Sequence, residues 1–203
     1  MGNSMYDQVV PPLSRMLSGL DKILSKAESD ATNRKIEPQT LLSARLAPDM
    51  LPLTRQVQMM TDHAKFAACR LTGSEAPKWA DDETSFADLH QRIGKALDLL
   101  KTFTPAQFDG ADSRPVELKL PSGALTFSGR DYFDGFLLPN FYFHYTTAYN
   151  ILRHNGLQIG KLDFLNPGVP DGRAAGTLIR RKAEAGASAH IGAAAPELSA
   201  LHT

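Results

Sequence analysis

The sequence predicts an all-α domain: a four-helix bundle with one small β-hairpin between its third and fourth helices. Three observations carry that expectation. Apolar residues recur in steps of three and four along four long stretches. One short segment, Val116 to Phe127, instead alternates apolar with polar residues. Prolines, glycines and capping residues fall between the stretches rather than at random.

The first helix carries Tyr6, Val9, Leu13, Met16, Leu17, Leu20, Ile23 and Leu24 on one face. Pro11 and Pro12 lie near its beginning, so it should start at the prolines or kink there. A polar connector follows, with a short helix expected from Pro38 to Leu46, and Pro48 and Pro52 then punctuate the chain. The second long helix has the stripe Leu53, Val57, Met60, Ala64, Ala67, Ala68 and Leu71, and Gly73 suits its C-terminal cap. An acidic loop, Ser74 to Thr84, leads to Ser85, which opens the third helix with Asp88 placed as in a capping box. Phe86, Leu89, Ile93, Ala96, Leu97, Leu100 and Phe103 form the apolar face of that helix, and Pro105 stops it.

Val116, Leu118 and Leu120 then alternate with Glu117 and Lys119. Pro121-Ser122-Gly123 turns the chain, and Leu125 and Phe127 resume the alternation. The fourth helix is expected from Ser128–Asp131 to Gly156, kinked where Pro139 removes an amide donor. A short extended run leads on to Phe164 and Leu165. Residues 1–166 thus read as one bundle domain, since four amphipathic helices bury their apolar faces most economically against one another. Residues 167–203, rich in Ala and Gly without a sustained period, read as a flexible tail.

Composition excludes several function classes. The 22 basic and 22 acidic residues cancel, so no global field draws the chain to nucleic acid or an anionic membrane. Arg180-Arg181-Lys182 is the one basic cluster, and it is short. The single cysteine, Cys69, rules out an internal disulfide framework and points to a reducing compartment. The start, Met1 to Asp7, lacks the pattern of a secretion signal, and no apolar stretch is long enough to span a bilayer. The expected location is the cytoplasm.

The common catalytic signatures are absent: no glycine-rich phosphate loop, no His-Glu-x-x-His, no nucleophile elbow and no paired-cysteine metal site. Cys69 is expected as a small core residue. What remains is histidine on facing helices. His190 and His202 lie in the tail, His90 is expected at the surface, and His154 suits the C-terminal dipole of the fourth helix. His63 borders the buried stripe of the second helix, and His144 lies in the aromatic run Asn140-Phe141-Tyr142-Phe143-His144-Tyr145. Asn140 and His144 stand one helical turn apart, with His63 able to approach from across the bundle. These spacings suit a metal site, but the residues alone favour two core-edge histidines satisfied by hydrogen bonds.

Several motifs resemble one known family. They include Leu46-Ala47-Pro48-Asp49-Met50, Thr61-Asp62-His63-Ala64-Lys65, Asp81-Asp82-Glu83-Thr84 and Leu138-Pro139-Asn140-Phe141. Thr147-Ala148-Tyr149-Asn150-Ile151-Leu152-Arg153-His154-Asn155-Gly156 and Gly160-Lys161-Leu162-Asp163-Phe164-Leu165 complete the set. The chain from Met5 to Leu165 is similar to the domain-of-unknown-function family nineteen-ninety-three, in the DinB/YfiT-like superfamily. That resemblance implies a four-helix bundle, commonly dimeric. It also implies a divalent metal, zinc or nickel, on three histidines: one from the second helix and a His-x-x-x-His pair from the last. Some relatives use the metal to activate a small thiol. His144 matches the second histidine of the pair, being followed by Leu152, Arg153 and Gly156 at the family's spacing, and His63 matches the second-helix ligand. The remaining position falls on Asn140, whose amide oxygen is a far poorer ligand than imidazole.

Two functional expectations follow. In the first, His63, His144 and Asn140 line a degenerate pocket with a binding or enzymatic role, the histidines as metal ligands or acid–base groups and Asn140 as a weak ligand or substrate hydrogen-bond donor, with zinc or nickel bound weakly or not at all. In the second, the helices form a non-enzymatic module for homodimerisation or a protein partner, and Asn140 satisfies backbone freed by Pro139.

Overall fold

In the computed structural model, residues 4–120 and 123–165 are described, and they belong to one unit, Met1–Pro167. The expected tail over residues 167–203, with His190 and His202, lies outside the described residues, as do Pro121 and Ser122 of the hairpin turn.

Ser4 caps α1 (Met5–Arg34), its hydroxyl accepting from the Asp7 amide at 3.2 Å. The helix runs on through Pro11 and Pro12, where the sequence predicts a start or a kink. The prolines sit close to the N-terminus, and Asp7, whose carbonyl loses its helical donor to Pro11, is exposed to water. α2 (Pro38–Leu42) is shorter than expected. The Leu42 carbonyl accepts from Thr54 Oγ1 at 3.1 Å and the Ala44 carbonyl from the Leu53 amide at 3.0 Å, which ties the end of α2 to the next helix.

α3 (Leu53–Thr72) ends on Gly73, whose φ of 76° is the left-handed cap that favours glycine. α4 (Phe86–Lys101) opens with a complete capping box between Ser85 and Asp88. A 3₁₀ turn, Pro105–Phe108, follows. β1 (Pro115–Leu120) and β2 (Gly123–Ser128) pair antiparallel, with Val116 opposite Phe127 and Leu118 opposite Leu125.

Ser128 then caps α5 (Gly129–Asp131), which passes into a π-helical segment, Tyr132–Leu137, and on into α6 (Leu138–His154). The sequence predicts a kink at Pro139; the structure puts a widened π turn directly before it. A proline ring clashes with the carbonyl one α-turn back, and a wider turn moves that carbonyl away. Past Gly156, where the sequence predicts an extended run, residues 157–160 are non-helical and lead into a short helix, α7 (Lys161–Leu165), which the sequence did not predict. Asp163 starts it by accepting from the Gly160 amide at 2.8 Å, and Lys26 of α1 anchors the same carboxylate at 2.5 Å.

The chain is therefore mostly helical with a small two-stranded antiparallel sheet. α1 packs on α4, and α3 packs on both α4 and α6. Leu13, Leu17, Leu20 and Leu24 of α1, Met60 and Leu71 of α3, Leu89 and Leu100 of α4, and Phe141 and Ile151 of α6 are fully buried. Each such side chain contributes roughly 1.5–3 kcal/mol through burial. Among the described residues, no helix is long and apolar enough to cross a membrane.

Candidate functional site: a histidine pair between two helices

α3 and the path from the π segment through α6 run in opposite directions along one seam. Arg70 of α3 meets Tyr132 at one end, and His63 meets His144 at the other. Both histidines are buried, at 8% and 7% exposure, and their rings stack with centroids 5.4 Å apart and planes inclined by 21°.

Gln56 fixes one of the two rings. Its amide nitrogen donates to the Leu51 carbonyl at 2.9 Å, so its oxygen faces His144 Nδ1 at 2.7 Å. An amide oxygen only accepts, so His144 carries its proton on Nδ1 and presents Nε2 as a lone pair. That arrangement suits a proton acceptor or a ligand nitrogen. His63 differs, because its Nε2 is buried with no hydrogen-bond partner. A buried ring nitrogen without a partner costs free energy.

Burial lowers the pKa of both histidines. His63 falls to about 4, through burial first and then repulsion from His144. Asp62 partly offsets this, and Arg70 lowers it further. A charge on either ring opposes a charge on the other, so the two titrate as a coupled pair. At neutral pH both rings are uncharged.

Asn140 lies one turn before His144, half-buried, with its amide nitrogen donating to the Phe136 carbonyl at 2.6 Å. It thus serves backbone beside the π segment, and its side-chain oxygen is left as the atom able to face a ligand. His63 and His144 are brought together, while Asn140 is bound to backbone one turn away. Among the described residues, no group of three or more His, Cys, Asp or Glu side chains is placed to hold an ion. These residues do not fit a three-imidazole centre.

Other expectations change in detail. His90, expected at the surface, is half-buried, its Nδ1 2.6 Å from Asp21 and its Nε2 3.9 Å from Glu28 of α1. His154 is the last residue of α6. Cys69 is buried, and burial pushes its thiol pKa up, away from a reactive thiolate.

Sequence reasoning missed Gln56, Arg70 and Tyr132. The signal was there: Gln56 and Arg70 stand two turns either side of His63, while Tyr132, Phe136, Asn140 and His144 follow one another in steps of four. It also missed Arg92, which is only 3% exposed. Arg92 binds Asp62 and Asp81 at 3.0 Å and Glu83 at 2.9 Å, with Trp79 stacked nearby at 5.7 Å. This network holds the acidic loop onto α3 and α4. It borders a cleft of about 510 Å³ lined in part by Trp79, Asp82, Gln91 and Lys95, away from the histidine pair.

Comparison with known proteins identifies the family and a similar fold. Residues 5–165 match the family model described as a domain of unknown function, DUF1993. A crystal structure of a DinB family member protein from Shewanella denitrificans is 42% identical, with a TM-score of 0.74 over 79% of this chain and 90% of that one. Among curated proteins there is no match.

Proposed function

This chain belongs to the DUF1993 family, and from that premise we propose that α1, α3, α4 and α6 form a DinB-type four-helix bundle whose α3–α6 seam binds a small molecule. His144 is the proton acceptor, His63 supplies a second ring nitrogen, and Asn140 contributes its amide oxygen. The observation that carries this reading is the pairing of opposite preparations on adjacent rings. Gln56 holds His144 with its Nε2 lone pair available, while His63 Nε2 is buried without a partner.

Zinc or nickel, in this proposal, is held weakly at most, because two imidazoles and an amide fall short of the three good ligands of a catalytic zinc site. Calorimetric titration with zinc tests the point. The parent should bind weakly, and Asn140→His should bind more tightly by restoring the superfamily pattern. Tight stoichiometric binding by the parent, lost in both His63→Ala and His144→Ala, would refute the weak-site reading.

A second reading is a homodimer or partner-binding module. It rests on Tyr142 and Phe143 of α6, exposed at 39% and 55% beside the histidine pair. Sedimentation of the parent and of Phe143→Ser separates the two, since only a dimer through this face should dissociate in the variant.

A further inference from the structure

The acidic loop carries three successive carboxylates, Asp81, Asp82 and Glu83, and the fold engages the outer two. Asp81 binds Arg55 at 2.5 Å and Arg92 at 3.0 Å. Glu83 binds Arg92 at 2.9 Å and accepts from Gln58 at 2.6 Å. Asp82 is therefore held between two tethered neighbours, and its exposed side chain lines the cleft of about 510 Å³. Among the described residues, no hydrogen bond or ion pair engages it.

The same cleft is lined by Gln91 and, one turn further along α4, by Lys95. The Lys95 ammonium lies over the half-buried Trp79 ring, 5.1 Å from its centroid, and this contact uses none of its hydrogen-bond donors. Among the described residues, no carboxylate pairs with Lys95. Arg92 borders the space but has nothing left to offer. Its five N–H groups go to Thr61 and the Ala80 carbonyl at 2.8 Å, Glu83 at 2.9 Å, and Asp62 and Asp81 at 3.0 Å. Asp88 is committed too, accepting from the Thr84 and Ser85 amides at 3.0 and 2.9 Å. What faces the cleft uncommitted is a carboxylate, an ammonium and an indole wall.

We infer that this cleft binds a free α-amino acid with an apolar side chain, its ammonium on Asp82, its carboxylate on Lys95 and its side chain along Trp79. The class follows from the two charges. A simple anion is attracted by Lys95 and repelled by Asp82, and a simple cation meets the reverse, whereas a zwitterion satisfies both. Gln91, with an amide that both donates and accepts, stands one turn from Lys95 to share the ligand's polar end. The volume falls within the range of about 300–1,000 Å³ usual for small-molecule sites. Anchoring Asp81 and Glu83 on Arg92 sets the loop before a ligand arrives, which lowers the ordering cost of binding.

The probe is L-leucine, and the reporter is Trp79, the only tryptophan in the chain. Titration of the full-length protein should change its fluorescence saturably, with matching heat in calorimetry. Isocaproate lacks the ammonium and isoamylamine lacks the carboxylate, so each should bind about five-fold or more weakly than leucine. Asp82→Asn should abolish the preference over isocaproate, and Lys95→Gln the preference over isoamylamine. Both side chains are exposed, so neither variant threatens the fold. No saturable binding by either readout, equal affinity for either analogue, or unchanged preferences in the variants would each overturn the assignment. The imidazole NMR signals of His63 and His144 should stay in place on leucine addition. A shift there, with Trp79 silent, would move the ligand to the histidine pair and refute this site.

Discussion

Acidification should destabilise this protein in a pH window set by His63. The ring is 8% exposed and its pKa is lowered from 6.5 to about 4. At about 1.4 kcal/mol per pH unit, that shift corresponds to about 3 kcal/mol. The sign follows from which state binds the proton more tightly. The unfolded chain does, so the native state is favoured fully above pH 6.5, loses stability as pH falls toward about 4, and levels off below it. Against a typical total of about 5–15 kcal/mol, the loss is large. It also precedes the loss from Asp81 and Asp163, whose pKa values lie below the usual carboxylate value. Urea denaturation of the parent and of His63→Gln, a non-titrating side chain of similar reach, isolates the effect. The parent should lose about 3 kcal/mol more than the variant across the window. Identical pH dependence in the two proteins, or a His63 ring titrating near its ordinary value by NMR, would refute the argument that burial and His144 hold this ring neutral.

Two further expectations concern the framework. Arg92→Met should destabilise the fold by about 3–5 kcal/mol in urea, because it leaves Asp62, Asp81 and Glu83 without their shared buried cation. Gly129→Ala should lower the melting temperature markedly, since a Cβ there would stand 1.8 Å from the Ala111 carbonyl oxygen. By contrast Gly94→Ala, with nothing within 4 Å of the added carbon, should raise the melting temperature, because helix propensity adds up to about 1 kcal/mol of stability.

The four long helices were legible in the sequence because their signals are local. A stripe such as Val57, Met60, Ala64 and Ala67, or a cap such as Ser85 with Asp88, depends only on residues within a turn or two. The same locality made His63 and His144 recognisable as bordering apolar faces. It failed where a distant partner decides. Pro11 and Pro12 sit inside α1 because the surrounding helix is packed on α4, and the π turn before Pro139 is a response to a ring that the sequence only marks. α7 forms because Lys26, far away in the chain, holds Asp163, and Phe164 has Tyr145 to pack against at 4.5 Å.

The site divides along the same line. Periodicity put each histidine on an inward face, but only the crossing of α3 and α6 decided what each ring meets. Gln56 turns His144 into a lone-pair donor, His63 keeps a nitrogen with no partner, and Arg70 meets Tyr132 without a counter-ion. Spacing along one helix determines direction. The distance between two helices, and therefore hydrogen bonding, burial and protonation, exists only once they pack.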